Sequence, residues 1–444
     1  MTASPAPATI VNENEPLTDA GPNVLNYPDD FRERQTLAWE KFTALPMPRR
    51  TEEAWRFANV KDLDLTGYSR ATALGDAVSD ELLARSCGLA AVAGRMVFAN
   101  DRLLAQEVFA DSLKQRGVIW LPIDQAAEAH PDLFRRHFMR EEAILGGRKF
   151  AALHESQVRA GTFLYVPRGV EIDLPIEAFH WLHGANGSVF PHTLIIAEDM
   201  AKVTVVDHYE SADLSAPGLA CAVNDLWLGA GAQVTYICVQ NWSRTALAFQ
   251  MNSTVVGRDA HAKALFTQLG ARHLRSESVS HLRGAGGRSD MLAVTVADDA
   301  QEIDARTFQI HEAPNTASDL LYKNSLDDTA RTIFSGLIRV NPGAHKTDAY
   351  QKVRNLLLSD EAEANSAPGL EIEADDVRCS HGATSGQIDE EELFYLMARG
   401  ISRKESQKLV VFGFLQEAVD RIGNAAIAER LGDLVHAKFD AKRR

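Results

Sequence analysis

A short turn pattern recurs along the middle of this chain, between runs of β-branched and aromatic residues, and it limits the fold more than any other feature. From Gly161 to about Asp376 no long helical pattern interrupts these runs. Each turn has an acidic residue or glycine, then alanine, then alternating residues, and its alanines are Ala201, Ala232, Ala260, Ala300, Ala330 and Ala344. Repeated turns between short strands, without crossover helices, favour a β-solenoid in which each coil buries its face against the next. A β-sandwich is the alternative that the pattern leaves open.

The segments before the strand-rich region predict a leader and a mixed domain. Residues 1–28 contain five prolines, no Lys or Arg and no apolar run, so they lack both parts of a signal peptide, and we expect a disordered leader. Residues 29–160 are predicted to form an N-terminal helical and mixed domain. A second helix is predicted from Asp124 to Leu145, interrupted at Pro131. The first helix is predicted from apolar positions at helical spacing, namely Phe31, Gln35, Ala38, Phe42 and Leu45.

The region after the strands predicts helices. We place the strand-rich core at 161–376 and a C-terminal helical domain at 377–444. Asp389 precedes an acidic first turn and Gly400 follows a basic last turn, as at an N-cap and a left-handed C-cap, and Ser402 opens a capping box. These helices carry aromatic residues on more than one face, namely Phe394, Tyr395, Phe412 and Phe414. A second apolar face indicates either a partner or a contact inside the domain.

Composition excludes several classes of function. The formal net charge of −15 argues against a general nucleic-acid surface, which needs a basic stripe to displace counterions. No apolar segment approaches the roughly 18 residues that read as a membrane span. The four cysteines are too few and too scattered for a disulfide framework, which favours a reducing compartment, the cytoplasm.

Cys379 and His381 are the candidate metal ligands. They lie two residues apart in a segment that we predict to be a glycine-flanked turn before the helix at Asp389. If this segment is extended, both side chains point to the same side. A thiolate and an imidazole suit iron, zinc or copper, whereas magnesium and calcium prefer oxygen ligands. A closed tetrahedral site needs about four ligands, so the others must come from elsewhere.

Long segments of the chain resemble one protein family, the SufB/SufD scaffolds of iron–sulfur cluster assembly. They are LEIEADDVRCSHGATSGQIDEEELFYLMARGIS around Cys379, HEAPNTASDLLYKNSLDD, FSGLIRVNPGAHKTDAYQKVRNLLLSDEAEA, VFPHTLIIAEDMAKVTVVDHYES and EEAWRFANV. Together they cover most of residues 52–415. Within the family the CSHGAT form resembles the SufD branch. SufB-like chains are expected to carry a cysteine just before a paired-leucine strand, where this chain has Arg354, Asn355 and Leu356.

The resemblance implies a mainly β fold, with a right-handed parallel β-helix core flanked by N- and C-terminal α-helical domains. It implies a non-catalytic scaffold subunit that pairs with a SufB-like paralogue through the β-helix and takes a SufC-like ATPase on the C-terminal helices. It further implies that Cys379 and His381 face the SufB-like subunit and hold a transient iron–sulfur cluster shared between the two chains. Whether flavin binds is left open.

Two other functions compete with this interpretation. A solenoid enzyme acting on carbohydrate would carry acidic or basic residues on one coil face and a secretory signal, which we do not find. A mononuclear metalloenzyme would use His180, His183 and His192, but no HExxH base accompanies the HxxH spacing. The glycine-rich segment 284–290 lacks the Lys-Ser/Thr of a phosphate loop, so we expect no ATP on this chain.

Overall fold

The computed structural model describes residues 15–24, 27–110 and 112–441. These residues form a mainly β protein whose centre is a parallel β-solenoid, with helices before and after it. The predicted fold class is therefore confirmed, and the β-sandwich alternative is wrong because the neighbouring strands within each long sheet run parallel.

Strands account for most of the elements. In chain order they are β1 (Ser69–Arg70), β2 (Gly94–Ala99), β3 (Arg102–Val108), β4 (Ile119–Pro122), β5 (Gly161–Val166), β6 (Ile176–Leu182), β7 (Gly187–Val189), β8 (His192–Ala197), β9 (Lys202–Ser211), β10 (Gly218–Leu228), β11 (Gln233–Asn241), β12 (Leu247–Val256), β13 (His261–Gln268), β14 (His273–Leu282), β15 (Arg288–Ala297), β16 (Glu302–His311), β17 (Ala317–Leu326), β18 (Arg331–Val340), β19 (Asp348–Leu357), β20 (Glu363–Ile372) and β21 (Arg378–Gln387).

The strands build two sheets that face each other. Sheet A has the order β20-β18-β16-β14-β12-β10-β8-β5-β4, with β7 and β1 at its side, and sheet B has the order β21-β19-β17-β15-β13-β11-β9-β6-β2-β3. From the pair β5 and β6 to the pair β20 and β21, each coil gives one strand to each sheet, except that β7 and β8 both pair with β10 in sheet A. Only the joins of β2 with β3 and of β4 with β5 are antiparallel among the described ladders, so the parallel solenoid starts at β5 and β2.

Small buried residues form the corners between strands, as the turn pattern predicts. Ala201, Ala232 and Ala330 each directly precede a strand and are fully buried. Ala300 differs, because it is exposed and Gln301 takes the corner position instead. The Gln301 amide donates to the carbonyl of Ala271 at 2.6 Å, so this buried polar side chain has a hydrogen-bond partner at the corner.

The helices of the N-terminal domain are α1 (Asp29–Ala44), α2 (Asp76–Arg85), α3 (Ser112–Gln115), α4 (Ile123–Ala129), α5 (Pro131–His137) and α6 (Arg148–Gln157). Most of them cover the outer face of sheet A, whereas α2 packs against β2 and β6 of sheet B. Apolar residues of this domain pack with Leu219, Phe249 and Met251, which point outward from sheet A. The helix predicted from Asp124 to Leu145 splits at Pro131 as expected but ends at His137.

The predicted leader, residues 1–28, falls largely outside the described residues. Its described part is packed, since Leu17 is fully buried and its N–H donates to the carbonyl of Tyr68 at 2.7 Å. Asn23 is also buried and donates to the carbonyl of Gln157. These contacts place residues 15–24 in the folded N-terminal domain, upstream of the predicted boundary at residue 29, because a single apolar side chain can anchor a proline-rich segment that has no periodic pattern.

Helices α7 (Glu390–Met397), α8 (Arg403–Asp420) and α9 (Ala425–Ala441) follow the solenoid. Their predicted caps are confirmed, because the Asp389 carboxylate accepts from the Glu391 N–H, the Ser402 hydroxyl accepts from the Glu405 N–H, and Gly400 has φ +85°. Helices α8 and α9 pack against the outer face of sheet B, so each sheet has helices on its outside. None of the helices in the described residues is long and apolar enough to cross a membrane.

Candidate functional site at the open end of the solenoid

The last coil leaves the second end of the solenoid open. Strands β20 and β21, ten residues each, pair only with β18 and β19 among the described residues. Most of β21 is exposed, in contrast to the buried strands of the earlier coils. Two adjacent strand edges with free N–H and C=O groups are a template for pairing with another chain.

Cys379 and His381 lie in β21, not in a turn as the sequence predicted. The solenoid thus continues to Gln387, past the predicted boundary at 376, because β21 pairs in parallel with β19 along its whole length. Glycines at 382 and 386 suggested a turn, yet neither has a positive φ. An extended strand places residues two apart on the same side. Cys379 and His381 therefore point to the same side, as expected for an extended segment.

Both candidate ligands face the interior side of the coil. In register, Cys379 lies beside Ala349 and His381 beside Gln351, and these two residues of β19 are 0% and 2% exposed. The residue between them, Ser380, lies beside Tyr350, which is exposed on the outside of the sheet. Because side chains alternate along a strand, Cys379 and His381 face the interior of the solenoid at its second end. We call this end, bounded by β20 and β21, the open mouth.

The surroundings of Cys379 favour a neutral thiol. Its side chain is partly buried against an apolar cluster that contains Ile338, Val340 and Leu370. Burial and the nearby Asp348 carboxylate raise the pKa of the Cys379 thiol, and the N–H of Ala349 opposes them only in part. A thiolate is the form that binds metal, so Cys379 is not activated within this chain alone. His381, by contrast, is exposed.

The described residues contain no complete metal site. No group of three or more His, Cys, Asp or Glu residues in the described part of the chain is arranged to hold a metal ion. Cys379 and His381 lie together on an open strand edge, and their role as metal ligands stays a prediction.

Polar side chains inside the last coils lie beside the pair, and sequence reasoning missed them. The Asn355 amide donates to the hydroxyls of Ser385 at 3.0 Å and Ser366 at 3.3 Å, which joins β19 to both strands of the last coil. The Gln351 amide donates to the carbonyl of Gly336 at 3.3 Å across the interior. The coil spacing of about 30 residues between Gln351 and His381 is the only signal of this proximity in the sequence.

The histidines of the alternative metalloenzyme do not come together as a metal site. His180 stacks between Phe98 and Tyr209 inside the solenoid, and burial lowers its pKa to about 3. His192 is on sheet A, where its Nδ1 lies 3.0 Å from Nε2 of His154. His180 belongs to β6 of sheet B, so the rings of His180 and His192 lie on different sheets and pack against different side chains.

Exposed aromatic residues are concentrated on α7. Phe394 and Tyr395 are 72% and 57% exposed, and Leu409 of α8 is 51% exposed. The other two predicted surface aromatics are packed, since Phe412 stacks on His436 and Phe414 lies over the Lys323 ammonium. The second apolar face predicted for these helices is thus confined to α7 and the start of α8.

Comparison with known proteins gives the family. Residues 180–414 match the family model of the SUF system FeS cluster assembly SufBD core domain, and residues 23–178 match that of the SufBD protein N-terminal region. The chain is 31% identical to the iron-sulfur cluster assembly protein SufD of Bacillus subtilis over 76% of this chain and 78% of that one. It is 29% identical to an iron-sulfur cluster assembly SufBD family protein of Staphylococcus epidermidis over 68% of this chain and 65% of that one. The chain belongs to the SufBD family of iron–sulfur cluster assembly proteins.

Proposed function

We propose that this chain is a SufD-like, non-catalytic scaffold subunit of a cytoplasmic complex that assembles iron–sulfur clusters. It pairs with a SufB-like paralogue through the open end of the solenoid, and a SufC-like ATPase docks on its C-terminal helices. The nascent cluster is the cargo of this complex, and no nucleotide binds to this chain.

The open end is the observation that carries the proposal. Strands β20 and β21 are ten residues long, and each has one edge that pairs with no other strand among the described residues. Strand pairing across such an edge gives affinity through the main chain and specificity through alternate side chains. At the first end β3 and β4 are antiparallel to their neighbours, so only the last coil continues the parallel solenoid up to its edges.

The position of the soft ligands supports the role in cluster assembly. Cys379 and His381 face the mouth that the paralogue would cover, and they supply two of the four ligands of a tetrahedral iron site. The remaining ligands, including the main thiolates, come from the SufB-like chain. Covering the mouth also removes these side chains from water, which protects a labile cluster.

The exposed face of α7 supports the ATPase contact. Phe394 and Tyr395 form an apolar surface on α7, next to α8 and α9, which pack against sheet B. An ATPase bound there couples its own conformational change to the last coils, because α7 directly follows β21.

Affinity purification from the native host tests the proposal. We expect the tagged chain to bring down a SufB-like and a SufC-like protein, identified by mass spectrometry, with iron and acid-labile sulfide in the complex. Recovery of the chain alone, or with neither protein, would contradict it. Co-expression of the three chains then shows whether the contact is direct.

A further inference from the structure

Gln351 has an unused hydrogen-bond acceptor next to His381. The Gln351 side chain is 2% exposed and its Nε2 donates to the carbonyl of Gly336, while its Oε1 is buried and has no hydrogen-bond partner in the described structure. Leaving a buried acceptor unpaired costs free energy, because the group has lost its hydrogen bond to water. This cost calls for a donor in the assembled protein.

Gly336 explains why the Gln351 amide lies across the interior. A Cβ atom at Gly336 would come within 2.7 Å of Gln351 Nε2 and of Thr307 Oγ1. Only glycine leaves room for the amide to reach the opposite sheet. The amide is thus held at one end, by its nitrogen, and its oxygen is free to accept a bond.

His381 is the residue in register with Gln351 in the next coil. Parallel neighbouring strands lie about 4.8 Å apart, so the two side chains stand one above the other on the interior face. The two residues in register with Gln351 on the neighbouring strands are Leu320 and His381. Leu320 is apolar, so the imidazole N–H of His381 is the donor in register that fits the Gln351 oxygen.

We propose that Gln351 is a positioning residue for His381, resting on the proposed role of His381 as an iron ligand. Gln351 Oε1 accepts the N–H of one ring nitrogen, which fixes the tautomer and the ring plane. The other ring nitrogen keeps its lone pair and faces the open mouth, where iron binds. Metal-bound histidines generally donate their second ring nitrogen to such an acceptor.

Ring nitrogen spectra of the full-length chain test the hydrogen bond. With 15N-labelled histidine at pH 8, the signal of His381 is assigned by its loss in His381→Ala. We expect one tautomer to dominate in the wild type and a change of at least twofold in the tautomer ratio in Gln351→Met, which has no acceptor for the imidazole N–H. An unchanged ratio in Gln351→Met overturns the proposal.

Gln309→Met is the matched control. Gln309 is a buried interior amide with both polar atoms unpaired, but it lies in register with Ile338, not with His381. An equal change in this variant would show general loosening of the interior and would also overturn the proposal. Iron bound by the co-expressed complex is a separate readout, expected to weaken about tenfold in Gln351→Met. Normal iron in His381→Ala would refute the ligand role, while the tautomer ratio still decides the hydrogen bond.

Discussion

Lys438 and Asp298 form a buried ion pair, with Nζ and Oδ1 2.9 Å apart and both side chains 6% exposed. The pair ties α9 to the corner between β15 and β16. Arg244, from the corner between β11 and β12, lies 2.9 Å from the same carboxylate, and the Lys438 ammonium also donates to Gln301 at 2.8 Å. The last helix is thus fixed to the solenoid by charge as well as by apolar packing.

Substitutions in this cluster should differ in cost. Asp298→Ala leaves the buried Lys438 ammonium without its carboxylate, whereas Arg244 keeps Asp299, and the free energy of unfolding should fall by about 3–5 kcal/mol. Lys438→Met leaves Asp298 paired with Arg244, and we expect a loss of about 1–2 kcal/mol. Urea denaturation followed by circular dichroism measures both.

The exposed pair of Lys202 and Glu171, 3.9 Å apart, is the control, and Lys202→Met should change stability by less than about 0.5 kcal/mol. Equal losses in the two cluster variants would contradict this ordering.

The corner residues show how far the sequence predicts the solenoid. Ala201, Ala232 and Ala330 mark real corners, because a small apolar side chain packs there between close-packed coils without needing a hydrogen-bond partner. The marker failed at Ala300, where Gln301 fills the corner by bonding to the backbone. Periodicity also predicted α8 and α9. It did not predict that both pack against sheet B, because an apolar stripe shows which side of a helix is buried but not which surface it contacts.

The candidate site was predicted in residue type but not in geometry. Cys379 and His381 stood out as soft ligands, whereas their strand was missed because an edge strand exposed on both faces lacks the alternation that marks strands. Gln351 lies 30 residues upstream and has no local signature. Only the register of β19 and β21 brings it beside His381.

His180 should make the protein sensitive to acid. Its folded pKa of about 3 lies below the ordinary value of 6.5, so the unfolded chain binds more protons between these pH values. This contribution to stability is complete above pH 6.5 and is lost as the pH falls towards 3. Replacement by phenylalanine keeps the stacking on Phe98 and Tyr209 and removes the titration. We expect His180→Phe to recover about 2 kcal/mol of the loss between pH 7.5 and 5, measured by urea midpoints. An identical pH dependence in the variant and the wild type would contradict this.

The isolated chain should be colourless and without ATPase activity. It has one thiol at the open mouth, and no group of three metal-ligating side chains was found among its described residues. Absorbance between 300 and 500 nm, iron and sulfide content, and phosphate release measure the outcome. A stable brown cluster on the purified monomer would contradict the shared-ligand arrangement.

Docking of the ATPase should depend on the exposed face of α7. Phe394→Ser and Tyr395→Ser remove apolar surface that is 72% and 57% exposed, so capture of a SufC-like ATPase should fall at least tenfold. Stability should change by less than about 0.5 kcal/mol. Leu37→Ser on α1, also 57% exposed, is the control and should capture the ATPase normally. Deleting 402–444 is a poorer test, because it strips α8 and α9 from sheet B. Normal capture by both α7 variants would place the contact elsewhere.

Substitutions at the open mouth should separate His381 from Cys379. His381 is exposed, so His381→Ala should fold normally and assemble with its partner, yet yield little cluster. Cys379→Ala should matter less, because the raised pKa of the Cys379 thiol keeps it neutral in this chain and the partner supplies the main thiolates. Ser380→Ala is the matched control, since Ser380 lies between them on the opposite side of the strand.

Iron and sulfide in co-expressed complexes, with thermal unfolding of each variant, measure the effects. A surface position contributes within about 0.5 kcal/mol to stability, so loss of cluster at an unchanged melting temperature indicates chemistry at the site and not a folding defect. Normal iron and sulfide in the His381→Ala complex would remove His381 from the ligand set.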